Sequence, residues 1–215
     1  MLGSRPDIAF AVRALGRYLA NPTADHMSAI DRLFRYVDHT KDLSLRYRSN
    51  VGRAIQPSGA VDANLAGESS TSKSTRSYAF FLGDAAFSWS SKLLNNTASS
   101  TAESKYMSLF FGGQQVAWIR NLYKEIGFPL SSPITVYCDS QPAIQILKAE
   151  GNHSQSKHFK LKYHASHERV NRKEMEVRYI NTGEKMALLL KPPPPPPAPL
   201  SYSPPSAKEK EDFKR

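Results

Sequence analysis

The sequence predicts an α/β fold, a mixed five-stranded sheet with flanking helices preceded by a small helical segment. Three observations predict it. Short segments alternate apolar and polar residues at strand spacing, one long stretch carries apolar residues at helical spacing, and a strand-to-helix junction holds an aspartate. That junction is Val136-Tyr137-Cys138-Asp139-Ser140-Gln141. Ile134, Thr135, Val136 and Tyr137 are β-branched or aromatic and read as a short buried strand. Ser140 is a good N-cap, and Pro142 suits the first turn of a helix that continues with Ala143, Ile146 and Leu147 on one face. Asp139 therefore stands at the carboxyl end of a strand, where open α/β sheets place their ligand sites. A carboxylate there is a candidate metal ligand or base. Taken alone, a helix-capping aspartate is the simpler reading.

Residues 1–50 read as two helices and a strand. Pro6 can start the first helix, with Ile8, Val12, Leu15 and Leu19 along one face, and Asn21-Pro22 stops it. Thr23 or Asp25 can cap the second, where Met27, Ile30, Phe34 and Val37 repeat at helical spacing as a core stripe. Leu43, Leu45 and Tyr47 alternate with polar residues, as a half-buried strand would. The next strand closes on Ala60-Val61-Asp62, with Pro57 and Gly59 marking it as an edge or a bulge. Strands over Ser77–Leu82 and Ala86–Trp89 follow, joined by Gly83-Asp84 as a hairpin. A polar loop fills Gly67 to Arg76. A long helix is expected from about Ser100 to Gly127, with Glu103, Tyr106, Phe110 and Ala117 on one face. A glutamate in a first turn ordinarily favours the helix dipole, but this one lies on the inward stripe.

After the junction helix comes a basic, histidine-rich run from His153 to Arg178. His164 and His167 could share a helical face, but no cysteine or HExxH pattern accompanies them, which disfavours zinc. A basic helical face that meets phosphates through Lys157, Lys160, Lys162, Arg169 and Arg172 is better supported. Met175 to Ile180 alternates as a last strand, and Met186 to Leu190 could form a short final helix. At Pro192 six consecutive prolines begin an extended, polyproline-like tail that ends in mixed charge. A solvated appendage is the plain reading of the tail, and a ligand for a proline-recognition module the sharper one.

The formal charge of +10 points to a polyanionic partner. The single cysteine, Cys138, excludes an intramolecular disulfide framework and fits a reducing, intracellular setting, cytoplasmic or nuclear rather than secreted. No apolar run approaches the roughly 20 residues that span a bilayer. No membrane partner and no small-molecule substrate are expected.

The order of elements is strand, strand, strand, long helix, strand, helix, basic segment, strand, short helix. Acids stand on the first strand (Asp62), the long helix (Glu103) and the fourth strand (Asp139), the layout of a ribonuclease H fold. Particular motifs narrow this. Ser4-Arg5-Pro6-Asp7-Ile8-Ala9-Phe10-Ala11-Val12 resembles the segment closing the reverse transcriptase of copia-type retrotransposon Pol polyproteins. Val61-Asp62-Ala63-Asn64-Leu65-Ala66-Gly67 resembles that family's SDADWAG. Lys73-Ser74-Thr75-Arg76-Ser77-Tyr78, Ser88-Trp89-Ser90-Ser91-Lys92 and Ser100-Thr101-Ala102-Glu103-Ser104-Lys105-Tyr106 are similar to its KSTSGY, SWSSK and STAEAEY. Tyr137-Cys138-Asp139-Ser140-Gln141 and Ser156-Lys157-His158 are similar to YCDNQ and (S/T)KH. The resemblance runs in order from about residue 4 to 191.

This resemblance implies hydrolysis of the RNA strand of an RNA–DNA hybrid, with two Mg²⁺ ions, or Mn²⁺, held by Asp62, Glu103 and Asp139. Clustered carboxylates serve such chemistry because two divalent ions must be held close together. It also implies a division into a remnant of the reverse transcriptase (1–50), a ribonuclease H-like domain (51–191) and a disordered tail (192–215), with no polymerase site, protease or integrase in the chain. Four positions depart from the family pattern. Leu188 stands where an aspartate of ADILTKP would complete the site, Leu65 replaces a tryptophan, Lys105 replaces a second glutamate, and Lys160 replaces an acid. Two expectations follow: a ribonuclease H impaired by the lost carboxylate, or a remnant that binds nucleic acid without cutting it.

Overall fold

The computed structural model describes residues 4–47, 56–64, 74–83, 85–94, 100–148 and 157–181. The sheet is built around β1 (Pro57–Asn64), antiparallel to β2 (Thr75–Leu82) and parallel to β4 (Ile134–Cys138). β3 (Ala85–Leu93) runs antiparallel to β2, and β5 (Met175–Tyr179) runs parallel to β4. The order across the sheet is β3-β2-β1-β4-β5, the mixed ribonuclease H-like sheet expected from the sequence. The helices are α1 (Ala9–Gly16) after a 3-10 turn at Pro6–Ile8, α2 (Ala24–His39), α3 (Thr101–Glu125), α4 (Gln141–Lys148) and α5 (Lys157–Asn171). The expected helix at 186–190, Leu188 and the proline tail lie outside the described residues, as does most of the loop from Gly67.

β1 is central, not an edge, and the two residues that suggested an edge explain how it fits. Pro57 is the first strand residue, where a missing N–H costs the ladder least. Gly59 pairs with Phe80 on β2, and a Cβ there would lie 2.5 Å from the Phe80 ring. The glycine makes room for the ring. β3 also runs past Trp89 to Leu93, because β2 supplies hydrogen-bonding partners across that serine-rich segment. Ladder pairing outweighs the weak strand propensity of its serines.

The larger core lies between the sheet and α3, with Leu109, Val116 and Ile119 of the helix over Val61, Phe80 and Val136. Each such side chain contributes about 1.5–3 kcal/mol through burial. Gly112 lets α3 settle close to β1, since a Cβ there would come within 2.7 Å of a Val61 methyl. On the opposite face Ala60, Ala79, Phe81 and Ala86 form a smaller cluster flanked by Trp89 and Tyr137.

The N-terminal helices differ from expectation. Thr23 caps α2 as predicted, its Oγ1 accepting from the His26 amide while His26 Nδ1 accepts from the Thr23 amide at 3.0 Å. Yet α2 has no buried residue, and Met27 and Phe34 of its apolar stripe are exposed. Leu43–Tyr47 is not a strand; Tyr47 donates its hydroxyl to the Ala86 carbonyl of the edge strand β3, 2.7 Å away.

Candidate functional site

Parallel pairing of β1 and β4 brings the two aspartates to the same end of the sheet. Ala60 pairs with Tyr137; Asp62 lies two residues further along β1, and Asp139 follows Cys138, the last residue of β4. Past the strand end, alternation no longer fixes the Asp139 side chain, which meets α3. Ser140 then caps α4, its Oγ accepting from the Ala143 amide at 3.3 Å, as the sequence predicts. Both aspartates act on Cys138 between them. Burial is the main cause that pushes its thiol up to about 11, and the charges of Asp139 and Asp62 add to it against Lys105.

α3 approaches this end of the sheet with fixed geometry. Ser100 caps it, its Oγ accepting from the Glu103 amide at 3.1 Å. Ser108 Oγ donates to the Asp62 carbonyl at 2.8 Å, and Ser77 Oγ of β2 does so at 3.3 Å, so the backbone at Asp62 is held from two elements. One turn before Ser108, Lys105 extends its ammonium to Asp139 Oδ1, 2.7 Å away. The Asp139 side chain is 2% exposed and that of Lys105 15%.

Helical spacing separates Glu103 from Lys105. An α-helix turns about 100° per residue, so side chains two positions apart project to nearly opposite sides. Lys105 opens the stripe of Leu109, Gly112, Val116 and Ile119 that meets the sheet. Glu103 belongs with Tyr106 and Phe110, the side that meets α5: the Tyr106 hydroxyl donates to the Lys162 carbonyl, and the Lys162 ammonium lies over the Phe110 ring. Among the described residues no group of three or more His, Cys, Asp or Glu is arranged to hold a metal ion. The helix is buried on two sides, so apolar spacing alone does not say which stripe meets β1. The Lys105 that replaces a motif glutamate, at the head of a second stripe, was the signal available in the sequence.

The expected basic surface is partly committed to internal pairs. Arg169 faces Glu174 at 3.7 Å, and Arg172 pairs with Glu168 one helical turn away. Lys162 is half-buried, and the side chains of Lys157 and Lys160 fall outside the described ones. Arg76 of β2 stacks its guanidinium 3.3 Å from the centre of the Phe111 ring. No described helix is long and apolar enough to cross a membrane.

Comparison with known proteins places this geometry. No family model matches the chain. It is 34% identical over 88% of its length to the retrovirus-related Pol polyprotein from transposon TNT 1-94 of Nicotiana tabacum. It is 32% identical over 86% of its length to that from transposon RE2 of Arabidopsis thaliana. The chain spans 14% and 12% of those polyproteins. Among solved structures, the LC11 ribonuclease H1 isolated from compost aligns over 61% of this chain and 88% of its own at 12% identity, with a TM-score of 0.45. The motifs of the sheet, in their order, and these relatives agree: over most of its length the chain is a homologue of one part of the copia-type, retrovirus-related Pol polyproteins.

Proposed function

We propose that this chain is a ribonuclease H-like domain of a retrotransposon Pol polyprotein that binds RNA–DNA hybrid and cleaves its RNA strand weakly or not at all. The observation that carries the reading is the placement of Asp62 near the carboxyl end of β1 and of Asp139 directly after the adjacent parallel strand β4. That is where an α/β sheet of this kind offers its site to a ligand. The net charge of +10 suits a phosphate backbone. Lys157, Lys160 and Lys162 at the start of α5 are the residues proposed to meet it, with Arg169 and Arg172 contributing where their glutamate partners release them. The domain would act inside the cell, in cytoplasm or nucleus, within the division 1–50, 51–191 and 192–215 that the motifs suggest.

The family chemistry would use two Mg²⁺ ions, with Mn²⁺ as a substitute, at Asp62, Glu103 and Asp139. The described residues do not fit that group as they are arranged. A lysine occupies an oxygen of Asp139, and leucine stands at 188 where the family has an aspartate. These features favour hybrid binding without efficient cleavage over an intact ribonuclease.

The test is fluorescence anisotropy of a labelled hybrid titrated with the full chain, in EDTA and across a salt series, alongside a cleavage assay in Mg²⁺ and in Mn²⁺. Binding should persist in EDTA and weaken steeply with salt, because displaced counterions drive it. Cleavage should be weak or absent in both ions, since the Lys105 ammonium already holds an oxygen of Asp139. Affinity flat across the salt series, or rapid cleavage in Mg²⁺, would overturn the reading.

A further inference from the structure

The Lys105–Asp139 pair has a consequence for metal binding that is separate from what the chain does to nucleic acid. We propose that Lys105 is a built-in cation: its ammonium fills the place at Asp139 that a divalent ion would take, so the domain folds with its carboxylates already compensated and takes up no Mg²⁺ or Mn²⁺ there. The inference rests on reading Asp62 and Asp139 as the site of this fold, and it does not require that the chain bind or cut hybrid.

Three observations carry it. Asp139 is almost wholly removed from water, and a buried carboxylate is stable only with a partner. Lys105 provides that partner at 2.7 Å from an element far away in sequence, so the contact is part of the tertiary structure. The lysine is also delivered rigidly. Its helix is capped at Ser100, bonded through Ser108 to the Asp62 carbonyl, and seated by Gly112 against Val61. An ion ligated by Asp139 would have to displace the ammonium into solvent or share the carboxylate with it. The first breaks a buried pair, and the second brings like charges together at short range.

A glutamate at the same position would reverse the situation. It would project from the sheet-facing stripe toward Asp139, making a third carboxylate with Asp62 in place of a cation. Lys105→Glu is therefore expected to open the divalent-ion site that the wild-type chain closes. Lys105→Gln removes the charge while keeping much of the length, and should open it partly.

Thermal unfolding and titration calorimetry of the full chain, without nucleic acid, test this with millimolar Mn²⁺ as the probe. The wild-type melting temperature should be the same in EDTA and in Mn²⁺, with no heat of binding at the site. Lys105→Glu should melt lower in EDTA and recover by about 5 °C or more in Mn²⁺. If Lys105→Glu does not fold without metal, Lys105→Gln carries the comparison, with a smaller rise. A wild-type rise in Mn²⁺ that Asp139→Asn abolishes would overturn the proposal, as would variants that fold and ignore Mn²⁺. Anisotropy with hybrid in EDTA on the same samples separates the two readings. Lost hybrid binding with a metal-indifferent wild type rejects the function proposed above and leaves the role of Lys105 standing.

Discussion

Asp7 and Asp139 each hold a basic side chain, Arg5 at 2.8 Å in one case and Lys105 at 2.7 Å in the other, but their settings differ. Asp7 lies two residues from its arginine and also accepts from the Tyr36 hydroxyl at 2.9 Å, while Arg5 reaches Thr40 at the end of α2. The planar guanidinium and the phenol satisfy the carboxylate from several directions, and the group clamps the N-terminal turn onto α2. Both partners remain about a fifth exposed. Asp139 lies at the carboxyl end of a parallel strand and meets the point charge of Lys105 from a distant helix, with 2% of its side chain exposed. One pair joins neighbours where no ligand is expected. The other occupies the position where the fold would hold one.

Breaking the second pair should cost more. Lys105→Met takes the Lys105 cation away from the buried Asp139 carboxylate, and a loss of about 3–5 kcal/mol in urea unfolding is expected. A loss below the effect of Asp7→Asn would remove the contrast. Asp7→Asn keeps the shape of its clamp and gives up the charge, with an expected loss of about 1–3 kcal/mol at neutral pH.

The acid dependence of the first pair sharpens the comparison. Burial works against the charged form of Asp7, but the hydrogen bonds from Arg5 and Tyr36 outweigh it and hold the pKa below its ordinary 3.8. A carboxylate whose folded pKa is depressed contributes stability that is complete above the unfolded value and disappears as pH falls through the folded one. The difference between wild type and Asp7→Asn should therefore be constant from pH 7 to about 5 and shrink below pH 4. A difference that grows on acidification would contradict the assignment. The smallest effect is expected at the tail: deleting residues 192–215 should leave the melting temperature nearly unchanged, since a proline run has no backbone donors to dock with.

Where each carboxylate stands was legible in the sequence, and which way each neighbour points was not. Asp139 could be placed because β-branched residues, an N-cap serine and a helix-starting proline mark the strand-to-helix junction on their own. Asp62 could be placed on a strand, but not on a central one. Pro57 and Gly59 read as edge signals until Phe80, distant in sequence, explains the glycine. α3 failed in a different way. A helix buried on two sides has two apolar stripes, and spacing alone does not choose between the one with Glu103 and the one with Lys105. The stripe of α2 misled because helical spacing reports a face able to pack, and among the described residues little covers it. Leu43–Tyr47 alternates like a strand yet reaches the edge strand β3 through the Tyr47 hydroxyl and not through ladder pairing.

The measurement that bears most directly on the central claim is a double-mutant cycle joining Lys105→Met and Asp139→Asn, read by urea unfolding at neutral pH. If the ammonium is the built-in counter-ion of Asp139, each single change strands a buried group and the double change removes the conflict. The coupling should reach about 2 kcal/mol or more. Additive losses, with coupling near zero, would show that Lys105 and Asp139 do not depend on each other, and the account of a closed metal position would be wrong.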